Sequence, residues 1–439
     1  MFKIFKNLLI GIICLISSET TALNSSSYLI SNTAIRLLDF EEAYLHYKKN
    51  ETPLAESDLH NKLLTFIHLN MLSEAAVTAG DILQINNLNQ EAWIVYLTDA
   101  KLKNKLNEFD IFNNETSNYE MDLLRYIFFT ADNEIKNNKK IARSIFKVVQ
   151  ASITESQNQD NYNFLLFYLS IANLFDPYFD EAFYFTAQIY QQLNNYDKAE
   201  TFYNKVSNTH EFYVDSQKNI AINKGKLNLF EEGEEKLLFL IDNYPTKFNL
   251  VVALADLYRV QKKYDKAINF YTQSINNQNN SFLNYWRLYY LRGISFERLN
   301  KWKLAEKDFL YSLKIQPDNP QVLNYLAYGW LERDYNLINA MKMLKKAYSA
   351  NPESYYILDS LGWAYYKMGE FIKAAEIMEE VILMAPGEAI SLHHLGDIYF
   401  AMNRKREAQY FWKQALDLSI PEDMITDILK EKLNLHNAG

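Results

Sequence analysis

Apolar residues along the C-terminal half of the chain fall into paired helical stripes. From Tyr355 the sequence reads YYILDSLGWAYYKMGEFIKAAEIMEEVILMAP, with Leu358, Leu361 and Tyr365 on one stripe and Ala374, Met378 and Val381 on the next. Spacings of three and four place each set on one helical face. Met368-Gly369-Glu370 separates the two stripes, and Pro386 follows the second, where a proline stops a helix. The same pair recurs along the chain, marked by one small residue of its second helix: Ala199, Gly233, Ala267, Ala305, Ala340, Ala374 and Ala408. The steps between them are 34, 34, 38, 35, 34 and 34 residues. A period of this length built from two helices predicts an all-α solenoid, in which each unit buries its apolar face only against its neighbours.

The register assigns packing roles. Gly362 and Ala374 are predicted to let the paired helices approach closely while larger residues fill the groove beside them. Leu392, Leu395, Gly396, Tyr399, Ala408, Trp412 and Ala415 occupy the equivalent places one unit on, and Gly293, Phe296, Ala305, Phe309 and Pro317 two units back. In the unit between, Tyr328 stands where glycine is usual. Tyr258, Ala267 and Tyr271 continue the pattern upstream, as do Tyr190, Ala199 and Tyr203. The regular array is therefore predicted over 176–420. Ala43 and Ala75 mark repeat-like pairs within 23–88. Residues 89–175 lose the signature and read as irregular helix pairs, with loops at Asn113-Asn114, Asn137-Asn138 and Asn158 to Asn163. The tail, 421–439, is predicted to hold a capping helix from Pro421 to Leu435, with Met424, Ile425, Ile428, Leu429 and Leu433 on its buried face.

Composition narrows the function class. Only 11 Gly and 8 Pro in 439 residues leave little material for β-turns. The net charge is −9 with no basic block, so the chain lacks a nucleic-acid footprint, and an anionic membrane is disfavoured as its main partner. Cys14 is the single cysteine, which excludes an intramolecular disulfide and a cysteine zinc site. At the N-terminus, Lys3 and Lys6 precede an apolar run from Leu8 to Ile16, with small residues Thr20 and Ala22 beyond. That arrangement predicts a secretory signal peptide over 1–22, cleaved after Ala22. Uncleaved, the same segment would tether the chain to a membrane.

No HExxH, GxSxG, GxGxxG or GxxxxGK motif is present, so no catalytic residue is assigned and the chain is read as a non-enzyme. His393-His394 is the one adjacent pair among seven histidines. Neighbours on a helix diverge by about 100° and do not converge on a metal, so no metal site or cofactor is expected.

The segments NYLAYGWLERDYNLINAMKMLKKAYSANP, DSLGWAYYKMGEF and HHLGDIYFAMNRKREAQYFWKQAL resemble tetratricopeptide repeats, in particular those of exported proteobacterial proteins. These include an outer-membrane lipoprotein adaptor that delivers substrates to a carboxyl-terminal processing protease. Ile13 before Cys14 departs from the lipoprotein pattern, where a small residue precedes the modified cysteine. The resemblance implies a right-handed superhelix of antiparallel helix pairs whose inner, concave surface is lined by the first helix of each pair. In that register the inward candidates are Tyr290, Tyr325, Tyr356, Trp363, Tyr366 and Phe400, with Asp359, His393 and Asp397 between them. Asp256 also faces inward, and Arg259 and Arg298 lie toward the rim. Rigid amphipathic rings of this kind suit a protein or peptide segment, although each ring also suits packing between neighbouring repeats. Acid at Asp359 and Asp397 disfavours a partner that presents a terminal carboxylate.

The expected function is thus a non-catalytic protein–protein interaction scaffold or adaptor in the periplasm or at the outer membrane of a Gram-negative envelope, serving proteolysis or assembly there. Two other readings stay open: the substrate arm of an enzyme with a site in 89–175, and a structural or oligomerising envelope component that uses its convex face or its capping helix. The sequence leaves the oligomeric state undetermined.

Overall fold

The computed structural model describes residues 29–48, 56–106, 119–130, 134–153, 159–276, 285–420 and 425–437. The predicted signal segment, Cys14, Asn113-Asn114 and Met424 lie outside these residues. The fold is helical throughout; an isolated bridge between Phe129 and Ile135 is the sole β pairing among the described residues. It divides into two compact units between Leu227 and Asn228.

The first unit holds α1 (residues 29–36), α2 (Phe40–Tyr47), α3 (Glu56–His68), α4 (Leu72–Ile85), α5 (Gln90–Leu102), α6 (Tyr119–Phe128), α7 (Asn138–Ile153), α8 (Gln159–Phe175), α9 (Asp180–Gln192), α10 (Tyr196–Tyr203) and α11 (Tyr213–Lys226). Ala43 and Ala75 are fully buried, on α2 and α4, as the register predicts for second helices. Asn138 begins α7, whereas it was expected in a loop. Asn137 caps that helix by accepting the Lys140 N–H, and the helix starts one residue later. The unit also closes on itself. Phe40 of α2 stacks on His68 at 3.9 Å, Ser170 of α8 meets His68 at 3.3 Å, and Lys198 of α10 reaches both the Leu38 carbonyl and the Glu41 carboxylate.

The second unit runs through α12 (Phe230–Asn243), α13 (Phe248–Val260), α14 (Tyr264–Asn276), α15 (Tyr285–Arg298), α16 (Trp302–Ile315), α17 (Pro320–Leu331), α18 (Leu337–Ala350), α19 (Tyr355–Lys367), α20 (Phe371–Met384), α21 (Ala389–Ala401), α22 (Lys405–Leu418) and α23 (Thr426–Asn437). Each first helix packs antiparallel on the second helix that follows: α13 on α14, α15 on α16, α17 on α18, α19 on α20 and α21 on α22. First helices also touch across repeats, α17 with α19 and α19 with α21, so the array curves with its first helices inside.

One backbone device repeats at every such turn. Asn194, Asn228, Lys262, Asn300, Asp334, Gly369 and Asn403 have φ between +48° and +79°, at nearly the period of the small residues. After each of these except Asn228, the next residue donates back to a carbonyl five residues earlier, as in Glu370 N–H to Tyr365 O at 2.9 Å and Arg404 N–H to Tyr399 O at 2.8 Å. This Schellman closure satisfies the carbonyls at the helix end and reverses the chain within three residues, or five between α17 and α18, where Asn336 is left-handed as well. Asn70 and Asn104 adopt the same conformation 34 residues apart. The repeat register therefore extends through α5 and lapses only beyond residue 106.

The glycines of the first helices are needed for close approach, but the partner differs from the predicted alanine. A Cβ on Gly362 would meet Met378 Sδ at 2.7 Å and Ile377, not Ala374. On Gly396 it would meet the Trp412 indole at 2.4 Å, and on Gly293 the Phe309 ring at 2.7 Å. Where Tyr328 replaces this glycine, the neighbouring Gly329 instead faces Trp302 of the preceding repeat. The C-terminal helix α23 covers the last repeat as expected, through Ile425 and Leu429, both buried. Ile428 is 45% exposed, so the predicted apolar face is narrower: at one position before Leu429 it sits about 100° around the helix from it.

The thioether of Met378 can swing away from an added methyl, whereas the fully packed Trp412 ring cannot. Gly396→Ala should therefore destabilise by about 1–3 kcal/mol and clearly more than Gly362→Ala, as read from the denaturant midpoints of the two variants.

Candidate functional site

The first helices of the last repeats bring most of the predicted inward residues onto one surface, in two layers. The deeper layer is locked. Trp363, 7% exposed, lies between two rings, stacked on Tyr366 at 4.5 Å and on His394 at 4.1 Å. Its indole N–H donates to Glu332 at 2.8 Å, the partner a buried tryptophan needs. Asp359 is buried as well and holds His394 Nδ1 at 3.1 Å. Upstream, Tyr290 meets Tyr325 edge-on at 5.8 Å, and Tyr325 packs against Phe309 at 5.4 Å. These side chains weld adjacent repeats together.

At the C-terminal end, two further predicted residues are already occupied. Lys432 of α23 bonds Asp397 at 2.6 Å and His393 Nε2 at 2.8 Å, while Trp412 Nε1 donates to Asp397 at 2.8 Å. The capping helix thus places its ammonium where a ligand cation would otherwise sit. His393 Nδ1 has no partner.

The outer layer is open. Tyr356 is 40% and Phe400 37% exposed, and Tyr366 is half-buried with one face against Trp363. At the rim of the preceding repeats, Arg287 and Arg259 lie within ion-pair distance of Asp256, and Arg298 lies beside Glu297. Of the nine predicted positions, then, Tyr356, Tyr366 and Phe400 keep open surface, and the other six take part in the contacts behind them. Glu332, His394 and Lys432 were not among the predicted residues. A buried tryptophan on an inner helix requires an acceptor, and that requirement was the available signal for Glu332. Lys432 depends on how α23 docks and left no local mark.

The two adjacent histidines are driven in opposite directions. Burial lowers the pKa of His393 to about 4, with Lys432 and His394 adding to the fall and the Asp397 and Asp359 carboxylates opposing it. Burial also works against the charged form of His394, but the Asp359 carboxylate, by charge and hydrogen bond, overrides it, with Glu332 and Asp397 behind, and the pKa is raised. No group of three or more His, Cys, Asp or Glu is placed to hold a metal among the described residues, and no helix there is long and apolar enough to cross a membrane.

Residues 180–208 and 355–388 match one tetratricopeptide repeat profile and 250–281 another; these segments are the pairs α9–α10, α19–α20 and α13–α14. The chain therefore carries tetratricopeptide repeats in an all-α solenoid fold. It is 30% identical over 106 residues to a TPR repeat-containing protein of Pseudomonas aeruginosa; the match covers 24% of this chain and 18% of that relative. Among solved structures, the Cut9–Hcn1 hetero-tetramer of the APC/C is similar over 95% of this chain and 85% of its own, at 16% identity and TM-score 0.49. A tetratricopeptide repeat protein from Parabacteroides merdae covers 58% of this chain and 97% of its own, at 17% identity and TM-score 0.45.

The histidines set a pH dependence with a definite sign. A histidine whose folded pKa is depressed to about 4 contributes stability that is present above pH 6.5 and lost as pH falls toward 4. His394, with a raised folded pKa, contributes stability that is present below pH 6.5 and lost as pH rises through its folded value. His393→Gln should therefore reduce the stability lost between pH 6.5 and 4, by up to about 3 kcal/mol. His394→Gln should enlarge that loss. Urea unfolding at both pH values measures each.

Proposed function

We propose that this chain is a non-catalytic protein-interaction scaffold, exported to the cell envelope, that binds a protein segment along the inner face of its C-terminal repeats. One observation carries the reading. Exposed rings at Tyr356 and Phe400, with the open face of half-buried Tyr366, stand on a wall whose polar groups are largely paired, so the surface is rigid before any partner arrives. A preorganised aromatic surface gains affinity because little order remains to be imposed on binding. Tetratricopeptide repeats supply such surfaces for protein partners, and nothing in the site requires a reacting group. The adaptor role in envelope proteolysis or assembly rests on the resemblance of residues 320–418 to exported members of the family, and export rests on the N-terminal segment.

The paired wall decides how the groove is tested. Trp363→Ala would leave a cavity, strand Glu332 and unstack His394, costing about 3–5 kcal/mol of stability, so lost binding there would be ambiguous. Tyr356→Ala with Phe400→Ala removes exposed rings and keeps the polar pairs of the wall, losing the contact of Phe400 with the Trp412 ring. Captured from envelope extract, the double variant should lose the partners of the wild-type chain while still melting as a folded protein; unchanged partners would rule out inner-face binding. Mass spectrometry of the protein recovered from cells should find the N-terminus at Leu23. A chain that begins at Met1 would remove the case for cleavage.

A further inference from the structure

The outward faces of two successive second helices carry opposite charge at equivalent repeat positions. On α18, Lys342, Lys345 and Lys346 are exposed; 34 residues on, the same places on α20 are held by Glu376, Glu379 and Glu380, also exposed. One turn earlier on each helix stands an exposed isoleucine, Ile338 at 67% and Ile372 at 70%. Neither strip is neutralised within the chain by the other. Lys346 pairs with Asp318 from the turn after α16, an exposed pair of the kind worth about 0–1 kcal/mol. Lys345 lies over the Tyr365 ring and Glu379 accepts the Tyr399 hydroxyl, so both also serve the repeat interface. Lys342, Glu376 and Glu380 have no ion-pair partner among the described residues.

We propose that this face binds a second copy of the same chain in a two-fold dimer. Charge complementarity with itself is what selects the occupant. A two-fold axis parallel to the helices and midway between α18 and α20 lays α18 of one copy on α20 of the other without changing height along the helix. Equivalent repeat positions then meet: Lys342 faces Glu376 of the second copy, Lys346 faces Glu380, and Ile338 faces Ile372. Each contact is made twice, as an isologous interface requires. The two isoleucines, large apolar groups left in water in the single chain, cover one another one turn before the charge pairs, at the N-terminal end of the strip. An anionic membrane fits this face less well, because the glutamates of α20 would be pressed against the same surface as the lysines. An acidic peptide would satisfy α18 alone. The proposal is independent of the inner-face reading, since all of these residues lie on second helices.

Charge reversal on the full-length chain tests it. By sedimentation velocity at low salt, the wild type should shift from the mass of one chain to that of two as its concentration rises, and salt should weaken the association. Lys342→Glu with Lys346→Glu makes both strips acidic, and Glu376→Lys with Glu380→Lys makes both basic; each double variant should stay a single chain, with its melting curve unchanged. Mixed together they should form a heterodimer, and the four substitutions combined in one chain should restore self-association. A wild type that remains a single chain, or double variants that associate as the wild type does, would overturn the proposal. So would a single-chain wild type that binds phosphatidylglycerol vesicles or a poly-glutamate peptide through the lysines, which would assign the strip to lipid or to an acidic protein segment.

Discussion

Left-handed backbone between the two helices of each pair is the constraint on which the array depends. It lets the next residue donate to a carbonyl five positions back, as Arg404 does to Tyr399, and so ends the first helix and starts the second within three residues, or five where both Asp334 and Asn336 are left-handed. A turn that short leaves no freedom in how the helices face one another. The glycine of the first helix must then lie against the second, and Gly293, Gly362 and Gly396 each meet a large side chain 16 positions on: Phe309, Met378 and Trp412. Asparagine fills most of the turns because its short polar side chain tolerates positive φ, and glycine takes the place at Gly369.

With the pair fixed, stacking of pairs determines what remains for a partner. The aromatic position near the end of each first helix is used to seal a repeat to the one before it. Tyr258 donates to Glu234, Trp330 to Glu306 and Tyr399 to Glu379, each reaching the preceding second helix. Facing inward, Trp363 is held by Tyr366, His394 and Glu332 together. The inner surface is thus a by-product of repeat packing, and its exposed rings are those left over when the wall is complete. Such a surface is stiff for the same reason that most of its residues are unavailable.

The period of the small residues was legible because the packing constraint recurs at a fixed spacing, and it correctly placed the second helices from Ala43 to Ala408. The turn asparagines carried the same information into the weaker N-terminal half, where Asn70 and Asn104 extend the register across a stretch that the alanines alone left irregular. Less of the site could be read. Register tells which side chains point inward, but burial depends on what the neighbouring repeat contributes, so Trp363 and Tyr356 are both inward by register while the first is buried and the second exposed. Contacts across long separations leave no periodic trace at all. Lys198 reaches the Leu38 carbonyl across 160 residues of chain, and Lys432 reaches Asp397 from the helix that ends the array, where the repeat has no neighbour to copy.

In a repeat protein, the positions that obey the pattern specify the fold, and specificity has to be written in the positions that break it. Packing demands the same residue class at Ala340 and Ala374, and the chain supplies it. Packing demands nothing of Lys342 on α18 or of Glu376 and Glu380 on α20, yet these helices carry opposite charge at equivalent places, beside the matched isoleucines Ile338 and Ile372. Equivalent positions see equivalent surroundings within the chain, so the solenoid itself offers no reason for the sign to reverse. A reason must come from something that meets both helices together. A surface with two-fold symmetry that presents the reversed pattern satisfies both at once, and a second copy of this chain is one that is always present.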